Sequence, residues 1–227
     1  MPTQTFFNLP EEKRERITEA AISEFSAYPF AQASIARIIE QAGIPRGSFY
    51  QYFKNLKDLY KYIFNLAVEK KLQFFEDRIP DLHGEGFDFF QTLHRLFVVG
   101  IEFAQEHPEI LALGDRFLKD NNLQLREEVL REQNPKSLDL YGEMLRKGYE
   151  LGQLDPTTDF TAALLMMQAL NKALLDAYLT LSQDSQGSIL EDSRYLDLVD
   201  KILYLFAHGL RNKSAKKGRT SSLSKHL

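Results

Sequence analysis

Arg46, Ser48, Gln51 and Tyr52 stand close together in one short stretch of the chain. A guanidinium, a hydroxyl, an amide and a phenol are groups that contact phosphate oxygens and base edges. Phe49 and Phe53 alternate with them at helical spacing, one turn apart. The pattern predicts a short helix that buries its phenylalanines and turns its hydrogen-bonding groups outward.

The residues just before it must set the angle of that helix. Ser34 is placed to cap a preceding helix by accepting a bond from an orphan N–H. Ile35, Ile38, Ile39 and Ala42 then recur as one apolar face. Gly43 stops this helix, because glycine takes the left-handed conformation without steric cost. Pro45 suits the start of the next helix, where its missing N–H is no loss. Helix, glycine turn and polar-faced second helix describe a helix-turn-helix, whose second helix enters the major groove. The same pattern also fits an ordinary helical hairpin.

The run Ala42-Gly43-Ile44-Pro45-Arg46-Gly47-Ser48-Phe49-Tyr50-Gln51-Tyr52-Phe53-Lys54-Asn55 resembles the recognition-helix signature of the TetR family of bacterial transcription regulators. The resemblance covers roughly Ile17 to Tyr62. It implies an all-α protein of about nine helices: a three-helix helix-turn-helix head at 1–54, then an effector-binding and dimerisation domain at 55–210. It implies a role for each matching residue. Ser34 would bind phosphate through its hydroxyl and the nearby helix end. Arg46 would contact guanine, and Gly47 would let the backbone approach the DNA. Ser48, Tyr50, Gln51 and Tyr52 would share base and phosphate contacts, and Lys54 would bind phosphate beyond the helix. Two positions depart from the family pattern. Pro45 replaces a hydroxyl residue, and Leu56 replaces a lysine that neighbouring Lys57 substitutes imperfectly.

Charge distribution agrees with this division. The 227-residue chain has a net charge of −4. Residues 1–71 carry ten Lys/Arg against eight Asp/Glu, residues 72–210 twelve against twenty-four, and residues 211–227 six against none. DNA would be repelled by the acidic middle but not by the two ends. The basic tail at 211–227 reads as disordered. Cysteine is absent, which excludes disulfides and thiolate metal sites. No apolar run reaches membrane-spanning length, and the N-terminus lacks the pattern of a signal peptide. A cytoplasmic protein is expected.

Residues 1–8 read as flexible. Pro10, Glu11 and Glu12 open a helix that ends at Tyr28-Pro29. Lys13, Arg14 and Arg16 near its start are surface charges or flanking phosphate contacts. A long helix runs from Leu56 to about Ile79 and joins head to body. Apolar helices follow from Phe87 and from Pro108. Asn134-Pro135 predicts a kink or a break in the segment Asn122–Leu151. The run Ala162–Met167 is apolar nearly all round, which predicts burial. A final apolar stripe spans Leu190–Leu210. These last two helices suit a dimer interface, and a dimer would match a palindromic operator.

An effector pocket would lie among the helices of the larger domain. Candidate linings are Phe90, His94, Phe97, Ile101 and Phe117, with Tyr141, Met144, Met167 and Asn171; Met and Phe suit a roomy apolar cavity. His94 also reads as a satisfied core histidine. The expected function is a sequence-specific DNA-binding regulator, a repressor released by a hydrophobic or amphipathic effector. The alternative is a regulator whose C-terminal domain only dimerises or binds a protein partner. The five histidines lack metal spacing and no glycine-rich phosphate loop is present, so neither a metal, a cofactor nor catalysis is expected.

Overall fold

The computed structural model describes residues 2–79, 84, 86–184 and 193–208, and for residues 132–139, 179, 181–184 and 193 the backbone alone. The 211–227 tail and parts of the expected loops therefore lie outside the described residues. Within them the chain forms ten α-helices and one 3₁₀ turn. They are α1 (Gln4–Phe7), α2 (Glu11–Ala27), the 3₁₀ turn (Phe30–Gln32), α3 (Ile35–Ala42), α4 (Arg46–Tyr52) and α5 (Leu56–Arg78). Then come α6 (Phe89–Glu106), α7 (Pro108–Lys119), α8 (Leu123–Glu150), α9 (Phe160–Asp184) and α10 (Ser193–His208). No described helix is long and apolar enough to cross a membrane.

Local chemistry accounts for most helix ends. Asn55, Asp88 and Asn122 each cap a helix, accepting from the N–H of Asp58, Gln91 and Leu125 at 2.9, 2.8 and 3.1 Å. These bonds satisfy donors that the helix itself leaves unpaired. Asp58 returns the favour to the Lys54 N–H at 3.2 Å, which completes a reciprocal box at the start of α5. Pro108 occupies the first turn of α7, where a proline costs nothing.

Two expectations change, and one open alternative is decided. Of the segment expected to be flexible, residues 2–8 are structured: Phe6 is fully buried, with its ring 4.9 Å from Phe53 and 5.3 Å from Tyr62. The burial of one aromatic ring outweighs the polar character of the segment around it. α8 runs as one helix from Leu123 to Glu150, with no break at Asn134-Pro135. The apolar run on α9 is only half buried: Ala163 and Met167 face the core, while Leu165 and Met166 are 60% and 50% exposed.

Two apolar cores form. The larger holds Phe89, Leu93, Phe97, Met144, Met167 and Val199 among others from α6, α8, α9 and α10. The second contains the helix-turn-helix, and it continues past residue 54. Leu59 and Ile63 of α5 join it, followed by Leu113 and Phe117 of α7 and Leu125 and Val129 of α8. Polar contacts fasten the same junction. Ser26 Oγ donates to the Glu109 carbonyl at 3.0 Å. Buried Asp120 accepts from the N–H groups of Phe30 and Asn122, at 2.9 and 2.8 Å. Lys57 and Lys61 both pair with Glu128.

Replacing Phe6 by alanine is expected to cost about 3–5 kcal/mol of unfolding free energy in a denaturant titration, the usual range for a buried phenylalanine. A cost near zero would mean that α1 does not dock.

Candidate nucleic-acid interface and effector cavity

The turn between α3 and α4 is built as its sequence requires. Gly43 sits at φ 64°, in the left-handed region where a β-carbon is strained. The Ile44 N–H donates to the Ile39 carbonyl at 3.0 Å and the Gly43 N–H to Glu40 at 3.2 Å, which closes α3. Pro45 precedes the helix as its cap residue, and α4 starts at Arg46. Phe49 and Phe53 are fully buried. They fix the roll of α4, so its opposite side must face outward.

That outward side is made of Arg46, Gly47, Tyr50, Gln51 and Lys54, all exposed. Arg46, Gly47, Tyr50 and Gln51 share one helical face, and Lys54 follows just past the helix end. Tyr50 is an exposed aromatic at 52%, which supplies a flat ring and a hydroxyl to any docked surface. Ser48 is half-buried beside this face. Tyr52 is not part of it: the residue is 3% exposed, with its ring 6.1 Å from Phe6 and 5.8 Å from the Lys13 ammonium. Tyr52 supports the helix from behind, because α1 covers the side it points to.

Ser34 stands at the cap position of α3, but its side chain caps nothing. Its N–H instead donates to Glu24 Oε1 at 2.6 Å. Glu24 is 4% exposed and also accepts from Arg37 Nε and Nη2, at 2.9 and 2.5 Å. Arg37 lies over the Tyr28 ring at 4.1 Å. This network orients the start of α3 and leaves the Ser34 hydroxyl uncommitted to the helix. Glu24 has no distinguishing mark in the sequence, since its partners lie ten and thirteen residues away.

The chain's beginning clamps the end of α4. The Thr3 N–H donates to the Tyr52 carbonyl at 2.9 Å and Thr3 Oγ1 to the Gln51 carbonyl at 2.6 Å. These are carbonyls that a helix cannot satisfy by itself. The other basic residues of the head are engaged: Arg14 donates to the Phe7 carbonyl at 2.8 Å, Arg16 pairs with Glu12, and Lys57 turns to Glu128.

The nine residues expected around an effector are not gathered at one place. Phe90 and His94 line a cleft of about 890 Å³ between α6 and α10. His94 is not a core histidine: it is partly exposed, with Nε2 3.1 Å from Asp200. Phe97, Ile101, Met144 and Met167 are at most 5% exposed and belong to the packed core. Tyr141 packs against that core, and half-buried Asn171 lines neither cavity.

Phe117 leads to a different site, a largely apolar cavity of about 270 Å³ between α5, α6, α7 and α9. Phe64, Ala67, Leu113 and Phe117 line it, and the same four residues belong to the core of the head. The Phe64 and Phe117 rings lie 4.6 Å apart. Two helical glycines, Gly100 and Gly114, also border the space. A β-carbon at Gly114 would meet nothing within 4 Å, and one at Gly100 only Phe75 Cζ at 4.0 Å.

Comparison with known proteins bears on both regions. The family model for bacterial regulatory proteins of the tetR family matches residues 17–63, which hold most of α2, all of α3 and α4, and the first third of α5. The fatty acid metabolism regulator protein of Bacillus subtilis is 26% identical over 212 residues, 88% of this chain and 97% of that protein. A TetR family transcriptional regulator from Chloroflexus aurantiacus superposes with a TM-score of 0.66 at 29% identity, over 94% of this chain and all of that one. The transcriptional regulator FadR from Bacillus subtilis, solved in complex with stearoyl-CoA, gives a TM-score of 0.69 at 21% identity, over 87% and 99% of the two chains. A helix-turn-helix with an open polar face, the family match on those residues and the whole-chain similarity agree: residues 17–63 carry the DNA-binding region of the tetR family of bacterial regulatory proteins, and the chain as a whole is similar to TetR-family transcriptional regulators.

Proposed function

We propose that the protein is a homodimeric repressor that holds a palindromic operator through its two α4 helices and releases it when an acyl-chain effector enters the cavity beside Phe117. The observation that carries this reading is the shared wall. Phe64, Ala67, Leu113 and Phe117 line the cavity and also pack the head's core. Close-packed interiors transmit a displacement because they have no slack to absorb it. A ligand that pushes Phe117 must therefore shift α5 and, with it, the head.

In this reading residues 1–54 read DNA, residues 55–210 bind effector and partner, and the 211–227 tail adds basic charge. Arg46 offers a bidentate contact to guanine, and Tyr50 and Gln51 share the base edges. Lys54, with the hydroxyls of Ser34 and Ser48, takes phosphates, and Gly47 lets the backbone come close. The dimer forms on the outer faces of α9 and α10. Leu165, Met166, Tyr204 and Leu205 are 60%, 50%, 63% and 43% exposed there, and an apolar patch of that kind marks an interaction site. The acyl-chain class is taken from the relatives, a fatty acid metabolism regulator and a regulator solved with stearoyl-CoA.

The test is a selection of genomic fragments bound at physiological salt. Enrichment of a palindrome, and its loss from an Arg46→Ala protein, is the expected result; no enriched sequence from the parent protein would overturn the reading. On the selected site, Arg46→Ala should cost about 1–3 kcal/mol and relax one base position. Lys54→Ala should weaken all sequences alike and lower the salt slope by about one. Replacing Leu165 and Leu205 together by glutamate should convert the dimer to a monomer in sedimentation equilibrium; an unchanged dimer would move the interface elsewhere.

A further inference from the structure

The cavity beside Phe117 carries more information than its position. Gly100 and Gly114 stand on the neighbouring helices α6 and α7, where glycine is a poor helix former. Neither position is crowded enough to demand glycine, since an added β-carbon would meet at most one atom at 4.0 Å. The missing side chains leave space instead. The wall is otherwise apolar, with phenylalanines, leucines, Val68 and two alanines.

Two charged residues border this space, Lys71 and Asp115. Asp115 is neutralised by Lys119 at 2.8 Å. Lys71 is exposed at the rim, with its ammonium 5.4 Å from the centre of the Phe75 ring. Among the described residues no carboxylate pairs with it. An apolar recess with one uncompensated cation at its edge is complementary to a chain with an anionic head.

Size sets the length of that chain. An engineered apolar cavity of about 150 Å³ holds benzene. On that scale the 270 Å³ here accepts roughly ten to twelve carbon atoms. We infer that the effector is a medium-length aliphatic chain with an anionic head, whose tail fills the Gly100–Gly114 cavity and whose head is held by Lys71. This rests on the effector reading above and narrows it: the recess matches a tail of that length, and the cation at its rim favours an anionic head over a neutral one. The anion is either the carboxylate of a free acid or a phosphate of a coenzyme A thioester.

The experiment measures release of operator DNA by anisotropy, with hexanoate, decanoate, dodecanoate and stearate, each as free acid and as coenzyme A thioester. Decanoate or dodecanoate, in one of the two forms, should release DNA at the lowest concentration, and the form that does so identifies the anion. Lys71→Met should raise that concentration about tenfold, as expected for one charge-assisted bond, and Lys71→Arg should recover most of the loss. Gly114→Leu, which improves helix propensity while filling the void, should abolish the response to these chains. Stearate or stearoyl-CoA acting as well as the medium chains, or a Lys71→Met protein that responds like the parent, would overturn the inference. If no chain of any length releases DNA that the protein demonstrably binds, the effector reading itself fails.

Discussion

The contact between Phe64 and Phe117, at 4.6 Å between ring centres, ties the helix-turn-helix head to α7 of the body. The head is too small to complete its own core. It borrows Leu113 and Phe117 from α7, and Leu125 and Val129 from α8. Burying those side chains stabilises the head, but it also binds the orientation of α4 to the position of α7. Asp120 strengthens the junction: a buried carboxylate must be hydrogen-bonded, and it is, to Phe30 at the head and to Asn122 at the start of α8. A head with an independent core would have no mechanical reason to respond to the body.

The cavity exploits this arrangement. Its walls include residues of the head's core, so a molecule entering it acts on the same atoms that position α4. The two glycines preserve the void at a cost of about 1 kcal/mol each relative to alanine in a helix.

Much of the architecture was legible in the chain. Gly43, Pro45 and the Phe49–Phe53 pair are local signals, and local signals predict a turn and a short helix well because few distant contacts override them. The helix ends at Tyr28, Asn55 and Pro108 were readable for the same reason. Less legible was whatever depended on distance along the chain. Phe6 docks because Phe53 and Tyr62 are waiting for it. Glu24 matters because folding brings Ser34 and Arg37 to it. Of the residues expected at an effector site, Phe117 lines the apolar cavity while Phe97, Met144 and Met167 fill the core. Apolar side chains look alike in sequence whether they border a void or close one. The better signal was the presence of glycine, Gly100 and Gly114, in the interiors of α6 and α7. Tyr52 and the outer face of α9 show the reverse error: the helical period was right, but which side meets solvent depended on α1 in one case and, in the other, on there being no covering element among the described residues.

In the proposed mechanism the effector cavity and the DNA-reading face are coupled through one core. Linkage makes this measurable without reference to any gene: if ligand weakens operator binding by some factor, operator must weaken ligand binding by the same factor. Calorimetric titration of decanoyl-CoA or decanoate into the free protein and into the protein saturated with operator gives both affinities directly. The account predicts weaker ligand binding to the operator complex, by the factor seen in DNA release. Equal affinities for the free and DNA-bound protein, with the cavity occupied in both, would contradict it.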